Sequence, residues 1–302
     1  MWQIIGAGAI GCLWAANLKR SGQNVHLITR KATAMPVLRY QDAQQNTYRF
    51  HIASGQQLLN NKDPILVCVK ATQVKQAIVN QLPYIGQNQI IILMHNGMGC
   101  AEQVQTLLPH NPIICATTAN ACLLKSPLNI EQTGLGSTYL GAYNQPIERA
   151  NSLTSTLNNA LYNTNWVEDI KQKLWLKLII NICINPLTAI HQINNGKLQK
   201  LEFQQQIAMM CEEAIKVAKT EGITFEQQTL FTLINDVINA TAENYSSMNR
   251  DIFYQRPTEN EYINGYLLEK ARHTNIDTPT IAALYQQIKE RENTIADNER
   301  QC

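Results

Sequence analysis

Short apolar runs separated by glycines dominate the first half of the chain. Residues 2–5, WQII, predict a buried strand, and GAGAIG follows before a helical pattern that ends near Gly22. The segment NVHLITR then predicts a second strand. The runs PILVCVK at 64–70 and QIIILMHNGMG at 89–99 are nearly continuous, as expected of parallel strands covered on both faces.

The pattern changes near residue 169. Two β-like runs around Gly134 and Gly136, a polar helix at about 146–160 and a short strand NWVE finish the first part. Beyond them only helical periodicity remains. We therefore predict an α/β Rossmann-like N-terminal domain, residues 1–167, and an all-α C-terminal domain, residues 168–302.

Boundaries of the C-terminal helices are predicted from caps and prolines. TFEQ and TENE match the capping box, with Thr224 and Thr258 as the N-caps. Pro186, Pro257 and Pro279 are expected to limit helices.

One apolar segment of this half, KLWLKLIINICINPLTAI, carries polar residues at intervals of four. Lys177, Asn181 and Asn185 share one face of the predicted helix, and nearly all the remaining circumference is apolar. A buried amide without a partner costs about 1–3 kcal/mol, and a buried ammonium costs more. The stripe therefore indicates either a satisfied polar network in the core or a cleft that holds a small polar anion.

Composition narrows the classes of function. The net charge of +2 provides no general attraction for nucleic acid or an anionic membrane, so neither partner is expected. The 8 cysteines form no CxxC pair and no zinc spacing, which favours a reducing cytoplasm and no metal site. The N-terminus lacks the basic leader of a signal peptide, and the apolar runs are too short or too charged for a membrane span.

The glycine turn near the N-terminus has the spacing of a dinucleotide fingerprint. Gly6, Gly8 and Gly11 follow a predicted strand and open a predicted helix. The first glycine allows the tight turn, the second allows the backbone to approach a pyrophosphate, and the third allows helix and strand to pack closely.

The end of the second predicted strand indicates which dinucleotide is bound. Arg30 and Lys31 stand where an NAD enzyme usually has an acidic residue, and the next acid is Asp42. A guanidinium suits a 2′-phosphate, so NADPH/NADP+ is the predicted cofactor. The alternative is that Arg30 only caps a strand at a solvated edge.

Two further polar residues follow predicted strands at the carboxyl edge of the sheet. Lys70 ends one apolar run, and Asn96 follows the next. Open α/β sheets bind ligands at this edge, and Asn96 could contact cofactor and substrate together. Both residues could instead be ordinary loop residues.

Lys177 is the candidate catalytic group of the helical half. Hydride transfer to a ketone carbon places negative charge on oxygen, which a nearby ammonium stabilises and then protonates. Burial should lower the lysine pKa toward neutrality. Glu243, Asn244 and Ser247 lie at one-turn spacing, and Glu259 begins a later helix, where complementing the helix dipole is its alternative role.

Taken together, these motifs resemble those of the ketopantoate reductase family. The matching segments are GAGAIG, HNGMG, LWLKLIINICINPLTAI, NNGKL, ATAENYSSM and TENEYINGYLL. The resemblance implies an oxidoreductase with a Rossmann-like domain and a 6-phosphogluconate dehydrogenase C-terminal-like helical domain. It implies NADPH-dependent reduction of 2-dehydropantoate, a small 2-oxo acid, to (R)-pantoate for pantothenate and coenzyme A biosynthesis.

The resemblance also implies roles for individual residues, with Lys177 as the proton donor. The implied substrate contacts are Asn96, Asn181, Asn185, Asn195, Asn244 and Ser247. The implied cofactor contacts are Gly6, Ala7, Gly8, Ala9, Ile10, Gly11, Arg30, Lys70, Asn96, Cys122 and Glu259. Cys122 would act through its backbone, because a small residue is expected there.

Two other functions agree with the same pattern. A two-domain reductase could act on another 2-oxo acid or hydroxyacid, because fold does not determine substrate. An NADPH-binding sensor could keep the fold without turnover, although a sensor needs no proton donor at position 177. A monomer and a homodimer both agree with the sequence.

Overall fold

The computed structural model describes residues 1–30 and 36–301, and side chains as far as residue 294. Lys31 therefore lies outside the described residues. The chain divides into two compact units. The N-terminal unit contains Met1–His95 and Gly99–Lys173, and the C-terminal unit contains Asn96–Met98 and Leu174–Cys302. The domain boundary expected between residues 167 and 168 stays a prediction.

The N-terminal unit contains all of the described strands and four helices. The strands are β1 (Trp2–Ile5), β2 (Val25–Ile28), β3 (Val37–Gln41), β4 (Thr47–His51), β5 (Ala53–Gly55), β6 (Ile65–Val67), β7 (Ile91–Met94), β8 (Ile113–Thr118), β9 (Ala121–Ser126), β10 (Asn129–Gly134), β11 (Thr138–Ala142) and β12 (Thr164–Trp166). The helices are α1 (Ala9–Arg20), α2 (Ala71–Gln81), α3 (Cys100–Leu107) and α4 (Ala150–Ala160), with a 3-10 turn at Leu82–Tyr84.

Eight strands form a sheet in the order β12-β11-β8-β7-β6-β1-β2-β5. All pairs are parallel except β11 with β8. Every residue of β1, β2, β6 and β7 is buried, which explains their continuous apolar sequences. Because parallel strands share direction, the segments that follow β1, β2 and β6 come to one edge.

A second sheet, in the order β4-β3-β10-β9, was not predicted as such. Its sequence signal is an alternation along each strand rather than a continuous apolar run: buried and exposed residues alternate in β3, and half-buried and exposed residues alternate in β4. Helix α1 packs against this sheet, because Leu38, Tyr40 and Ile130 share a core with Leu13. Because the second sheet covers the face of α1 that would otherwise meet solvent, the helix is apolar nearly all round.

The C-terminal unit contains helices and no strand in its described part, which confirms the predicted α/β domain followed by helices. Its helices are α5 (Ile170–His191, which starts in the N-terminal unit), α6 (Leu201–Thr220), α7 (Gln227–Ala240), α8 (Ser247–Phe253), α9 (Tyr266–His273) and α10 (Pro279–Gln301). A 3-10 segment at Asn195–Gln199 and a π-helical segment at Glu261–Gly265 complete it.

Helix α5 is the central element of this unit. Trp175, Ile179, Ile182 and Leu187 lie in its core. By length and composition α5 could cross a membrane, but 61% of its most apolar 18-residue stretch is buried within the protein. The core helix of a folded domain has the same length and composition. Pro186 lies inside α5, so the expectation that it limits a helix is wrong. Tertiary packing offsets the backbone hydrogen bond that a proline removes.

The predicted N-caps are only partly correct. Helix α7 is capped by Glu226, whose carboxylate accepts from the N–H groups of Gln228 and Thr229, so Thr224 is not its N-cap. Thr258 Oγ1 accepts from Asn260 N at 3.0 Å, as a cap does. Its own N–H donates to Glu292, a residue of α10, and not to the third residue of a capping box.

Candidate active site

The glycine turn after β1 is built by close backbone packing. Gly6 has φ +109°, and a Cβ there would lie 2.7 Å from Cγ1 of Val69. A Cβ on Gly11 would overlap the carbonyl oxygen of Gly6. Both positions therefore require glycine, because any side chain would push α1 away from the turn.

Gly8 differs from its two neighbours, since a Cβ there would meet no atom within 4 Å. It is the N-cap of α1, where no side chain caps the helix and no acid occupies the first turn. Ala7, Ala9 and Ile10 are half-buried beside it. Open space in front of uncapped N–H groups fits a pyrophosphate, which a helix N-terminus attracts.

Arg30 and Lys70 flank this turn, because they follow the two strands that pair with β1. Strand β2 lies on one side of β1 and β6 on the other. The Arg30 side chain is exposed, and its carbonyl oxygen accepts from Gln56 Nε2 at 2.6 Å. Lys70 is the N-cap residue of α2 and is half-buried. Two cationic side chains thus lie at this edge, where an anionic ligand would be attracted.

Cys122 lies on β9, paired with Gln132 of β10, and packs against the core shared with α1. Burial raises the pKa of its thiol to about 12, so the side chain is neutral at physiological pH. All seven cysteines for which side chains are described are free. Within the described residues, no group of three or more His, Cys, Asp or Glu could hold a metal.

The polar stripe of α5 is present in the C-terminal unit. Lys177 and Asn181 are half-buried, and Asn185 is 6% exposed. The side-chain amides of Asn181 and Asn185 form no hydrogen bond with another described residue. A core network would have satisfied both amides, so their environment favours the ligand-binding interpretation.

Lys177 combines burial with an acidic neighbour. Burial lowers the pKa of Lys177 from its usual 10.5 to about 8, and the charge of Glu259 opposes this change by raising it. The ammonium form therefore still predominates at pH 7, while its proton is held less tightly than that of a solvated lysine. These are the properties of a general acid that works near neutrality.

Asn96 belongs to the C-terminal unit although it follows β7 in the chain. Its Nδ2 donates to Oε2 of Glu259 at 3.1 Å, and Met98 N donates to the carbonyl oxygen of Tyr262 at 2.8 Å. Gly97 has φ +77°, and a Cβ there would lie 2.5 Å from the same carbonyl oxygen. Glu259, 6% exposed, is thus a partner of Asn96 and Lys177, beyond any interaction with a helix dipole.

Asn195 is supported by the turn that follows α7. Asn195 N donates to the carbonyl oxygen of Asn244 at 2.9 Å, and Asn195 Nδ2 donates to Thr241 Oγ1 at 2.9 Å. The side chain of Asn244 is exposed, and so is that of Ser247 at the first position of α8. Residues 243–246 are not helical, so the one-turn spacing assumed for Glu243, Asn244 and Ser247 is wrong.

Residues 243–246 are not helical because α8 begins only after an N-cap at Ser246. Ser246 is buried and accepts from Asn249 N as the N-cap of α8, which forces extended backbone at Ser246. Its hydroxyl also lies 2.7 Å from Thr188 Oγ1 of α5. The serine two residues after Asn244 was the available signal for this cap. No sequence signal pairs Thr241 with Asn195 or Tyr262 with Met98, because those contacts join distant segments.

Comparison with known proteins identifies relatives over nearly the whole chain. Residues 2–145 match the family model described as Ketopantoate reductase PanE/ApbA, and residues 169–292 match Ketopantoate reductase PanE/ApbA C terminal. The 2-dehydropantoate 2-reductase of Vibrio cholerae is 38% identical over 291 residues, which cover 96% of this chain and 97% of that protein.

Solved structures show the same fold. A PanE/ApbA family ketopantoate reductase from Ralstonia eutropha superposes with a TM-score of 0.89 at 23% identity, covering 98% of this chain and 100% of that one. A D-mandelate dehydrogenase with NADH and anilino(oxo)acetate gives a TM-score of 0.87 at 22% identity, with coverage of 98% and 100%. At these identities the similarity concerns the fold alone.

Proposed function

The chain belongs to the ketopantoate reductase family and is an oxidoreductase, and we propose that it reduces 2-dehydropantoate to (R)-pantoate with NADPH. The product would enter the synthesis of pantothenate and coenzyme A. The observation that supports this proposal most strongly is Lys177 of α5, half-buried beside Glu259, with the amides of Asn181 and Asn185 one and two turns further along the same face. The cytoplasmic location and the monomeric or homodimeric state stay predictions.

The family and the Rossmann-like fold imply a nicotinamide cofactor, and residues of the N-terminal unit fit one. In our proposal the N–H groups at Gly8, Ala9 and Ile10 bind its pyrophosphate. Arg30, with Lys70 nearby, binds the 2′-phosphate that distinguishes NADPH from NADH. Cys122 and Glu259 are retained as proposed cofactor contacts. When bound, the nicotinamide supplies a hydride to the ketone carbon.

Lys177 would complete the reduction. Its ammonium donates a hydrogen bond to the ketone oxygen, stabilises the negative charge that develops there, and transfers a proton to form the hydroxyl group. Glu259 favours the charged form of Lys177 and holds the amide of Asn96. In this proposal Asn96, Asn181, Asn185, Asn195, Asn244 and Ser247 bind the carboxylate, the ketone and the distal end of the substrate.

A substrate panel tests the proposal. NADPH oxidation is followed with 2-dehydropantoate beside pyruvate, 2-oxoisovalerate and phenylglyoxylate, each also with NADH. We expect 2-dehydropantoate with NADPH to give the highest kcat/KM. A higher value for phenylglyoxylate, the oxidised form of mandelate, would instead favour a hydroxyacid dehydrogenase of the same fold. NADPH binding without turnover of any 2-oxo acid would indicate a sensor.

A further inference from the structure

The side-chain amide of Asn195 is held in one orientation by Thr241. Asn195 Nδ2 donates to Thr241 Oγ1 at 2.9 Å, and this hydroxyl lies 2.7 Å from the carbonyl oxygen of Val237. Two oxygens at this distance are joined by a hydrogen bond, and only the hydroxyl carries a hydrogen that it can donate. Thr241 therefore offers only lone pairs to Asn195, which must turn its NH₂ group toward Thr241.

The backbone around Asn195 is attached to the same turn. Asn195 N donates to Asn244 O, and Gly196 N donates to Ala242 O, both at 2.9 Å. A Cβ on Gly196 would lie 2.9 Å from the Cβ of Ala242, so the two segments approach closely. Asn195 consequently cannot move to another partner without breaking this attachment.

The opposite end of the amide is left without a partner. Asn195 is 7% exposed, and its Oδ1 is buried and accepts no hydrogen bond from any described residue. An unsatisfied buried acceptor costs about 1–3 kcal/mol. A ligand that supplies a hydrogen-bond donor at this point removes that cost, whereas a carboxylate or ketone oxygen would face another lone pair.

We infer that Thr241 is a positioning residue that makes the Asn195 subsite accept hydrogen bonds only, so that the site selects 2-oxo acids bearing a hydroxyl group. This inference rests on the proposed reduction of 2-dehydropantoate. In that substrate the carboxylate and the ketone only accept, and the terminal hydroxyl is the one donor. The hydroxyl therefore binds Asn195 Oδ1, and the acceptor groups bind at the cationic and amide donors of α5.

The test compares two enzymes with two acids. Trimethylpyruvate has the carbon skeleton of 2-dehydropantoate without the hydroxyl group. We expect the wild-type protein to prefer 2-dehydropantoate by about 10- to 100-fold in kcat/KM, because the other acid leaves Oδ1 unsatisfied. Thr241→Val lets the amide turn, so the preference should fall about tenfold, mainly through a raised Michaelis constant for the hydroxylated acid. Thr241→Ser should restore it.

A matched control is Thr274→Val, which removes a similar hydroxyl bond to a helix carbonyl at the end of α9, where Thr274 Oγ1 donates to Lys270 O at 2.9 Å. It should leave the preference unchanged. Equal losses for both acids in Thr241→Val would overturn the inference by showing a purely structural role.

The comparison of the two acids with wild-type protein remains decisive if Thr241→Val is too unstable to assay. Equal reduction of both acids by the wild type overturns the inference and leaves the proposed reductase function intact. Failure to reduce 2-dehydropantoate at all overturns the proposed function and the inference together.

Discussion

The glycine turn after β1 and the stripe on α5 are two candidate binding regions built in opposite ways. The turn offers backbone N–H groups, and the residues on which its shape depends are glycines, which have no side chain. The stripe offers an ammonium and amides on a helix that is otherwise buried. A backbone site is lost when a side chain is added, and a side-chain site is lost when one is removed. Substitutions can therefore separate the contributions of the two regions.

The largest effect is expected from removing the Lys177 ammonium. Lys177→Ala should lower kcat by about 10²–10⁴-fold, the usual contribution of a positioned general acid. Its affinity for NADPH should change little, because the proposed phosphate contacts belong to the other unit. Steady-state kinetics and a fluorescence titration with NADPH measure the two quantities separately.

Lys171→Ala is the matched control, since Lys171 is an exposed lysine in the first turn of the same helix. It should retain wild-type kcat. Comparable turnover in the position 177 and position 171 variants would refute the proton-donor role.

The second largest effect contrasts two glycines of the turn. Gly8→Ala has room for its Cβ and an ordinary φ of −77°, so the melting temperature should stay close to that of the wild type. The methyl group would occupy the space proposed for the pyrophosphate, so NADPH affinity should fall at least tenfold, or about 1.4 kcal/mol.

Gly11→Ala is the counterpart within the same turn. Its Cβ would overlap the Gly6 carbonyl oxygen, so the free energy of unfolding should drop by about 1–3 kcal/mol or more. Thermal unfolding of both variants distinguishes the roles. Strong NADPH binding by Gly8→Ala would show that the open space is not the cofactor site.

A smaller effect is expected at Arg30. Arg30→Ala removes the guanidinium proposed for the 2′-phosphate, so the ratio of kcat/KM for NADPH to that for NADH should fall about 10- to 100-fold. Arg49→Ala, an exposed arginine on β4 of the second sheet, is the control and should keep the ratio. If Arg30→Ala keeps the wild-type ratio of kcat/KM for NADPH to that for NADH, Arg30 does not bind the 2′-phosphate and only caps a strand.

The smallest effect is a displacement of the pH profile. Lys177 must be protonated to act as an acid, and its pKa is about 8, so kcat should decline as the pH rises above about 8. Glu259 raises that pKa, so Glu259→Gln should move the alkaline limb to lower pH. The kcat profiles of both proteins between pH 6 and pH 10 are the measurement. A shift of the alkaline limb to higher pH in Glu259→Gln would show that Glu259 does not act on Lys177 by its charge.

Much of the fold followed from apolar periodicity. Strands β1, β2, β6 and β7 are buried on both faces, so each appears as an uninterrupted apolar run. Strand β3 alternates between buried and exposed positions and β4 between half-buried and exposed positions, over five residues each, and this weak pattern was not recognised. Pro186 within α5 shows a local rule overridden by tertiary packing. The cap of α7 is itself local, because Glu226 accepts from the N–H groups of Gln228 and Thr229 where Thr224 was expected to cap.

Within the candidate site, the amino-acid sequence by itself determined the glycine turn and the polar stripe of α5, because each depends on spacing within one element. Only the tertiary structure decided that Asn96 pairs with Glu259 and that Thr241 orients Asn195. These contacts join residues of different elements, and the direction of a hydrogen bond depends on which neighbour already holds the proton. That arrangement is a property of the packed chain, and no spacing along the sequence encodes it.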